Sequence, residues 1–209
     1  MSSGEADAIR FVDHRLDLAA KIRAQNPDMS EITAFIIAGD MDSVSLADQA
    51  LAEGDGIWAA SVLVGSYARL DWIVRQLEAG RVPREEVLDH LPDVWRGSDP
   101  DDTDARFFLL WREAWARNGR RTIYDGDPLP AGRVLKIYRG QHGTANSGIA
   151  WTLDEKIAQR FAITGGGRGP MKVGVVHTAF VQRRDVIAYL TLRREQEVVV
   201  NPMTLFGAS

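Results

Sequence analysis

The apolar residues of this chain keep one period up to about residue 118 and another from residue 119 onward. Ile9, Val12, Leu16, Ala19 and Ile22 recur at spacings of three and four, the stripe of an amphipathic helix. Val134 to Tyr138 instead alternates apolar and polar side chains, as a half-buried strand does. Helices gathered in one half and strands in the other exclude a doubly wound sheet, in which the two alternate. The expected fold class is therefore α+β: an N-terminal helical lobe over residues 1–118, then a compact, mostly antiparallel β core over 119–209. The two could also form one continuous domain.

Punctuation refines the helical half. Asn26-Pro27-Asp28 stops the first helix, and Ser30 with Glu31 opens a second, predicted to end near Gly39. Ser43 or Ser45 caps a third helix reaching about Glu53, and Gly54-Asp55-Gly56 is a turn. Ile57 to Leu77 is apolar around most of its circumference, which predicts one long buried helix with Gly80 as its C-terminal cap. Pro83 opens a short helix over Arg84 to His90, and Pro92 closes it. Asp102 or Thr103 caps a last helix that turns Phe107, Phe108, Trp111, Ala114 and Trp115 inward, and Asn118-Gly119 ends it. Beyond it, strands are predicted at Val134 to Tyr138, Ile149 to Thr152, Lys172 to Gln182, Asp185 to Leu190 and Glu195 to Val200. Asp154 caps a helix from Glu155 to Ala162.

Composition closes off several functions. Apolar residues at 45% and charged ones at 26% are those of a globular chain, and 209 residues bury a full core without staples. The absence of cysteine excludes disulfides, thiolate zinc sites and cysteine nucleophiles. Met1 to Arg10 has no apolar signal region, and Ile57 to Ala68 is too short to span a bilayer. A soluble, cytoplasmic protein without membrane contact is expected. The net charge of -4 is unevenly spread: 12 Lys/Arg against 22 Asp/Glu up to Asn118, then 13 against 7. A basic second half suits an anionic ligand.

Several motifs carry no chemistry. The run Asp99, Asp101, Asp102, Asp104 lacks the Gly and Glu that a calcium loop beginning at Asp99 requires, since Asp104 and Leu110 stand there. His14, His90, His142 and His177 have no metal-ligand spacing, and no metal is expected. Gly165 to Gly169 is neither a P-loop nor a dinucleotide fingerprint, because it follows a helix and enters a strand. The Phe107, Phe108, Trp111, Trp115 stripe sits at helical spacing and suits a core better than a base-stacking platform.

Three short elements of the basic half remain. Ile137-Tyr138-Arg139-Gly140 ends a strand in an arginine. Gly148-Ile149-Ala150-Trp151-Thr152 ends a strand in a hydroxyl residue before a helix. Arg194-Glu195-Gln196-Glu197 places two acids at i and i+2 ahead of three valines. On a strand these two carboxylates would share a face, about 6.5 Å apart at the backbone.

In order and context the three motifs resemble the mono-ADP-ribosyltransferase superfamily, in its arginine–serine–glutamate branch, over about residues 133 to 202. The resemblance implies NAD as co-substrate. Arg139 would hold the diphosphate or the nicotinamide ribose, the Gly140 backbone would approach the nicotinamide amide, and Trp151 and Phe161 would wall the pocket. Thr152 would orient Glu197, which by position is the catalytic glutamate acting on the ribose 2′-OH. Glu195 would position or deprotonate the acceptor, and Arg168 in the glycine-rich loop would add a phosphate contact. The first acid of the Glu-x-Glu pair points to protein arginine as acceptor, with nucleic acid second, and to a toxin, phage or defence role with an unidentified regulatory partner. Three features depart from the family: threonine replaces serine, Thr152 follows Arg139 by only 13 positions, and the turn before Glu195 is short. An NAD glycohydrolase and an inactive binding module of the same fold are the alternatives.

Overall fold

The computed structural model describes residues 16–142, 148–164 and 174–207, which divide into two compact units at residues 76 and 77. The first unit is helical. Helix α1 covers 16–25 and α2 covers Glu31–Ala52. Gly39 does not end α2: it is buried inside a continuous 22-residue helix, and Ser43 Oγ donates to its carbonyl at 2.7 Å. Ala19 of α1 packs on Ala34 and Ala38 of α2, so tertiary burial outweighs the weak helix propensity of glycine. The long helix expected over Ile57 to Leu77 is broken into α3 (Ile57–Ser61) and α4 (Ser66–Glu78), with Val62 and Leu63 exposed in the turn between them. Asp48 of α2 accepts hydrogen bonds from Trp72 Nε1 and Gln76 Nε2 of α4, both at 3.0 Å. Among the described residues no helix is long and apolar enough to cross a membrane.

The second unit joins three further helices to the sheet. These are α5 (Arg84–Asp89), α6 (Leu91–Arg96) and α7 (Ala105–Arg117). Pro92 stands in the first turn of α6 instead of closing α5, as suits a residue whose missing N–H falls among the orphans of a helix start. The cap of α7 is Asp104, which accepts from the Arg106 amide at 2.8 Å, and not Asp102 or Thr103. Phe107, Trp111 and Ala114 of α7 are buried as expected, whereas Phe108 and Trp115 are half-buried. The expected division at 118 therefore differs from the observed one: residues 77–118 group with the sheet, because α7 packs on it and Trp95 and Asp102 bond to it.

Among the described residues the sheet has six strands, in the order β1-β5-β6-β3-β2-β4. They are β1 (Ile123–Tyr124), β2 (Val134–Gln141), β3 (Ala150–Thr152), β4 (Val175–Gln182), β5 (Val186–Leu190) and β6 (Glu197–Val200). Among the described residues only the β1–β5 pair is parallel, so the architecture is α+β with a mostly antiparallel sheet. Helix α8 (Glu155–Thr164) follows β3, and Asp154 caps it by accepting from the Lys156 amide at 2.8 Å. Leu135, Ile137, Trp151, Val181, Val186, Val198 and Val200 form the core under the sheet. All five residues of β5 are buried.

Candidate active site

Antiparallel pairing sets Tyr138 of β2 opposite Thr152 of β3, and Thr152 opposite Glu197 of β6. Directly paired residues project to one face, so this row forms a floor. Above it lies a cleft of about 680 Å³, within the size range of small-molecule sites, bounded by α8 and by the loop 98–104. Arg139, Gly140, Thr152, Phe161, Glu195 and Glu197 all line it.

Glu197 opens β6, where Val198 to Val200 anchor the strand in the core. Trp95 Nε1 of α6 donates to Glu197 Oε1 at 2.6 Å. The Trp95 ring is held edge-on by Trp111 at 5.6 Å and Phe107 at 6.4 Å, both on α7. Among the described residues Glu197 makes no ion pair. Burial pushes its carboxyl up to about 7, the nearby Glu195 and Asp102 charges add to the rise, and the Trp95 bond and the Arg193 charge oppose it. This side chain is a half-buried acid lining the cleft, without a contacting cation among the described residues.

Glu195 is not on the strand as expected. It precedes β6, and Gln196 between the two acids has φ 46°, with Arg194 at φ 59°. Left-handed backbone at non-glycine residues costs about 1 kcal/mol each and clusters at functional sites. The turn still delivers both carboxylates to the cleft. Glu195 pairs with Arg160 of α8 at 3.2 Å and, more loosely, with Arg193 at 3.8 Å. Arg193 Nη1 also donates to the Ser98 carbonyl at 3.2 Å, and its Nη2 lies 3.4 Å from Asp99. Alternating charges thus cross the mouth of the cleft.

Arg139 is spent within the protein. Its Nη1 and Nη2 fork the Asp102 carboxylate, with Nη2 2.9 Å from Oδ1, and Nη1 also donates to the Ala150 carbonyl at 2.6 Å. Its Nε donates to Gln141 Oε1 at 2.8 Å. Four of the five N–H groups are engaged within the described residues, which leaves no open fork for the diphosphate that Arg139 was expected to hold.

Other expected roles shift in the same way. Thr152 Oγ1 donates to the Glu195 carbonyl at 2.6 Å and accepts from the Asp154 amide at 3.0 Å. It shapes the turn that carries Glu195 and does not bond the Glu197 carboxylate; Trp95 does that. Gly140 serves the approach of α8, since a Cβ there would fall 1.7 Å from the Ala158 carbonyl oxygen and 2.6 Å from the Ala162 amide. Trp151 borders the cleft, but it belongs to the core beneath the sheet, and its Nε1 donates to the Gly148 carbonyl at 3.1 Å. Phe161 is half-buried on the cleft wall, with the Arg160 guanidinium 5.4 Å from its ring centre. Arg168 and the glycine-rich loop lie outside the described residues.

Sequence reasoning missed Trp95, Asp102 as a site residue, and Arg160. Trp95 and Asp102 had no local signal, because their partners stand 102 and 37 residues away. Among the described residues no group of three or more His, Asp or Glu side chains is placed to hold a metal ion. The fold and site define an α+β unit with a carboxylate-bearing cleft. No protein-family model, curated protein or solved structure matches the chain.

Proposed function

We propose that this protein is an NAD-dependent mono-ADP-ribosyltransferase of the arginine–serine–glutamate type, with an ADP-ribosyltransferase-like β core. The carrying observation is that side chains chosen from four separate segments line one cleft around a carboxylate that lacks a contacting cation. A nicotinamide ring bound to ribose is a cation, and the ribosyl centre becomes an oxocarbenium-like cation as the bond to the ring breaks. A desolvated carboxylate at that place gains most when positive charge develops beside it, which is differential stabilisation of the transition state.

In this reaction the C1′–N1 bond breaks, and its electron pair returns to the ring, which leaves as neutral nicotinamide. Glu197 accepts a hydrogen bond from the ribose 2′-OH and balances the charge at C1′. Trp95 holds the carboxylate in place. Phe161 gives the cleft an aromatic wall, and the arginines at the mouth face the phosphates. The acceptor's lone pair then bonds to C1′, and its proton passes to Glu195 or to water. The acceptor is a macromolecule, with protein arginine favoured over nucleic acid. Glycohydrolysis is a second outcome, favoured by the ion pairs of Glu195 with Arg160 and Arg193, which hold that carboxylate away from an acceptor.

The test is incubation of the protein with labelled NAD and a cell lysate, with Glu197→Gln as the control. Label on protein, lost by about 10³-fold or more in the variant while NAD still binds, is the expected result. Equal labelling by the variant would remove Glu197 from the chemistry. Nicotinamide release without label transfer would identify the glycohydrolase, and neither NAD binding nor turnover would leave a binding module.

A further inference from the structure

We infer that Asp102 is a positioning residue of the cleft, and that Arg139 serves the site through Asp102 and not by contact with the dinucleotide. This rests on the transferase proposal above for its kinetic readout only.

Asp102 ties the loop 98–104 to two strands at once. Its Oδ2 accepts from the Ala150 amide of β3 at 3.0 Å, and its backbone carbonyl accepts from the Ile149 amide at 3.2 Å. Its two oxygens take the Arg139 fork from β2. Both side chains are largely enclosed, at 13% exposure for Arg139 and 14% for Asp102. Gly148 closes one side of the guanidinium, for a Cβ there would fall 2.3 Å from Arg139 Cζ. A bidentate, enclosed pair of this kind is costly to open, because either partner left alone is an uncompensated charge.

The loop fixed in this way lies between α6 and α7 in the chain, and α6 carries Trp95. The loop is also bonded to the β5–β6 turn by the Arg193 side chain, which is half-exposed and holds Ser98 and Asp99 at 3.2 and 3.4 Å. The placement of the Trp95 indole on Glu197 is thus held from two sides, by the Asp102 tie on the loop that follows α6 and by Arg96 of α6, whose Nη1 donates to Asp125 Oδ2 at 3.2 Å. The diphosphate meets the more exposed Arg160 and Arg193 at the mouth of the cleft, where the ion pairs are longer and solvated.

The experiment compares Asp102→Asn, Arg139→Lys and the wild type for NAD affinity and turnover. If Arg139 is a strut, both variants lose about 10- to 100-fold in kcat, while NAD affinity changes by less than about threefold. If Arg139 is a ligand masked by Asp102, Asp102→Asn tightens NAD binding, Arg139→Lys weakens it and kcat holds; that pattern overturns the inference. Should Asp102→Asn fail to fold, Gly148→Ala keeps every charge and drives a methyl onto the guanidinium. It is expected to reproduce the kcat loss, and full activity in it overturns the strut.

A second readout needs no NAD. Tryptophan emission followed from pH 5 to 9 is expected to show a step from Glu197 beside Trp95 that is absent in Trp95→Phe and in Glu197→Gln. Asp102→Asn, or Gly148→Ala in its place, is expected to remove most of the step's amplitude, because the indole leaves the carboxylate; an unchanged step overturns the inference. A wild type that shows the step but neither binds nor turns over NAD would sink the transferase proposal and leave the strut to be judged by emission.

Discussion

Two charged groups line the same cleft and are treated in opposite ways. Arg139 meets a carboxylate fork, a main-chain carbonyl and a glutamine, so its charge and most of its donors are satisfied. Among the described residues Glu197 receives one indole N–H and no guanidinium, and its carboxyl rises to about 7. A matched buried pair holds architecture, because opening it costs more than it returns. A buried charge left unmatched is a standing cost, and such a cost is tolerated where a ligand or a transition state supplies the missing partner. The difference separates the frame of this site from its chemistry.

Mutation separates the two most sharply through stability. Replacing Arg139 by Met strands Asp102 and is expected to cost about 3–5 kcal/mol, read as a lowered urea midpoint. A midpoint within error of the wild type would break the comparison at its first half. Glu197→Gln is expected to do the reverse at pH 8. The folded carboxyl titrates near 7 against 4.5 in the free side chain, so burial of its charged form costs about 3 kcal/mol above pH 7.

The sign follows from proton uptake. Between about pH 4.5 and 7 the folded state holds a proton that the unfolded chain has released. The stabilisation from this proton is complete below 4.5 and lost as pH rises through 7. The wild type should therefore melt lower at pH 8 than at pH 6, and Glu197→Gln should abolish that part of the fall. A variant that melts with the same pH dependence as the wild type would show that Glu197 is not the group responsible.

Trp95→Phe sharpens the second half. Its loss removes the bond that favours the ionised acid, so the Glu197 carboxyl should titrate at higher pH. Turnover that needs the ionised form should fall severalfold at pH 7 and recover above pH 8. An acid limb that stays in place would leave Trp95 as packing alone. The smallest effect is expected far from the cleft, at the half-exposed Arg84–Glu113 pair, 2.5 Å apart at its closest. The Arg84 bond holds the Glu113 carboxyl below its ordinary value, so its contribution is present above about pH 4.5 and lost in acid. Glu113→Gln should cost less than about 1 kcal/mol at pH 7, because solvent screens such pairs.

Much of this was legible in the chain. The change of period near residue 119, the Asp154 cap, the Gly80 and Gly119 helix ends and five of the six described strands are local, and local rules located them. The three site motifs are local too, and the residues they singled out that are described all reach one cleft. Where burial competes with a local signal, the signal lost. Gly39 stays helical because α1 packs alanine on alanine against α2, and Ile57 to Leu77 breaks although its apolar residues suggested one helix.

Sequence by itself determined the class of fold, most of its strands and the acids that opened the functional question, since propensity, capping and alternation act over a few residues. Tertiary structure decided what those residues do. It gave Arg139 to Asp102, Thr152 to the Glu195 turn and Gly140 to helix α8, and it brought Trp95 onto Glu197 across 102 positions of chain. Desolvation and pairing depend on neighbours in space, and no period or spacing in the chain encodes them.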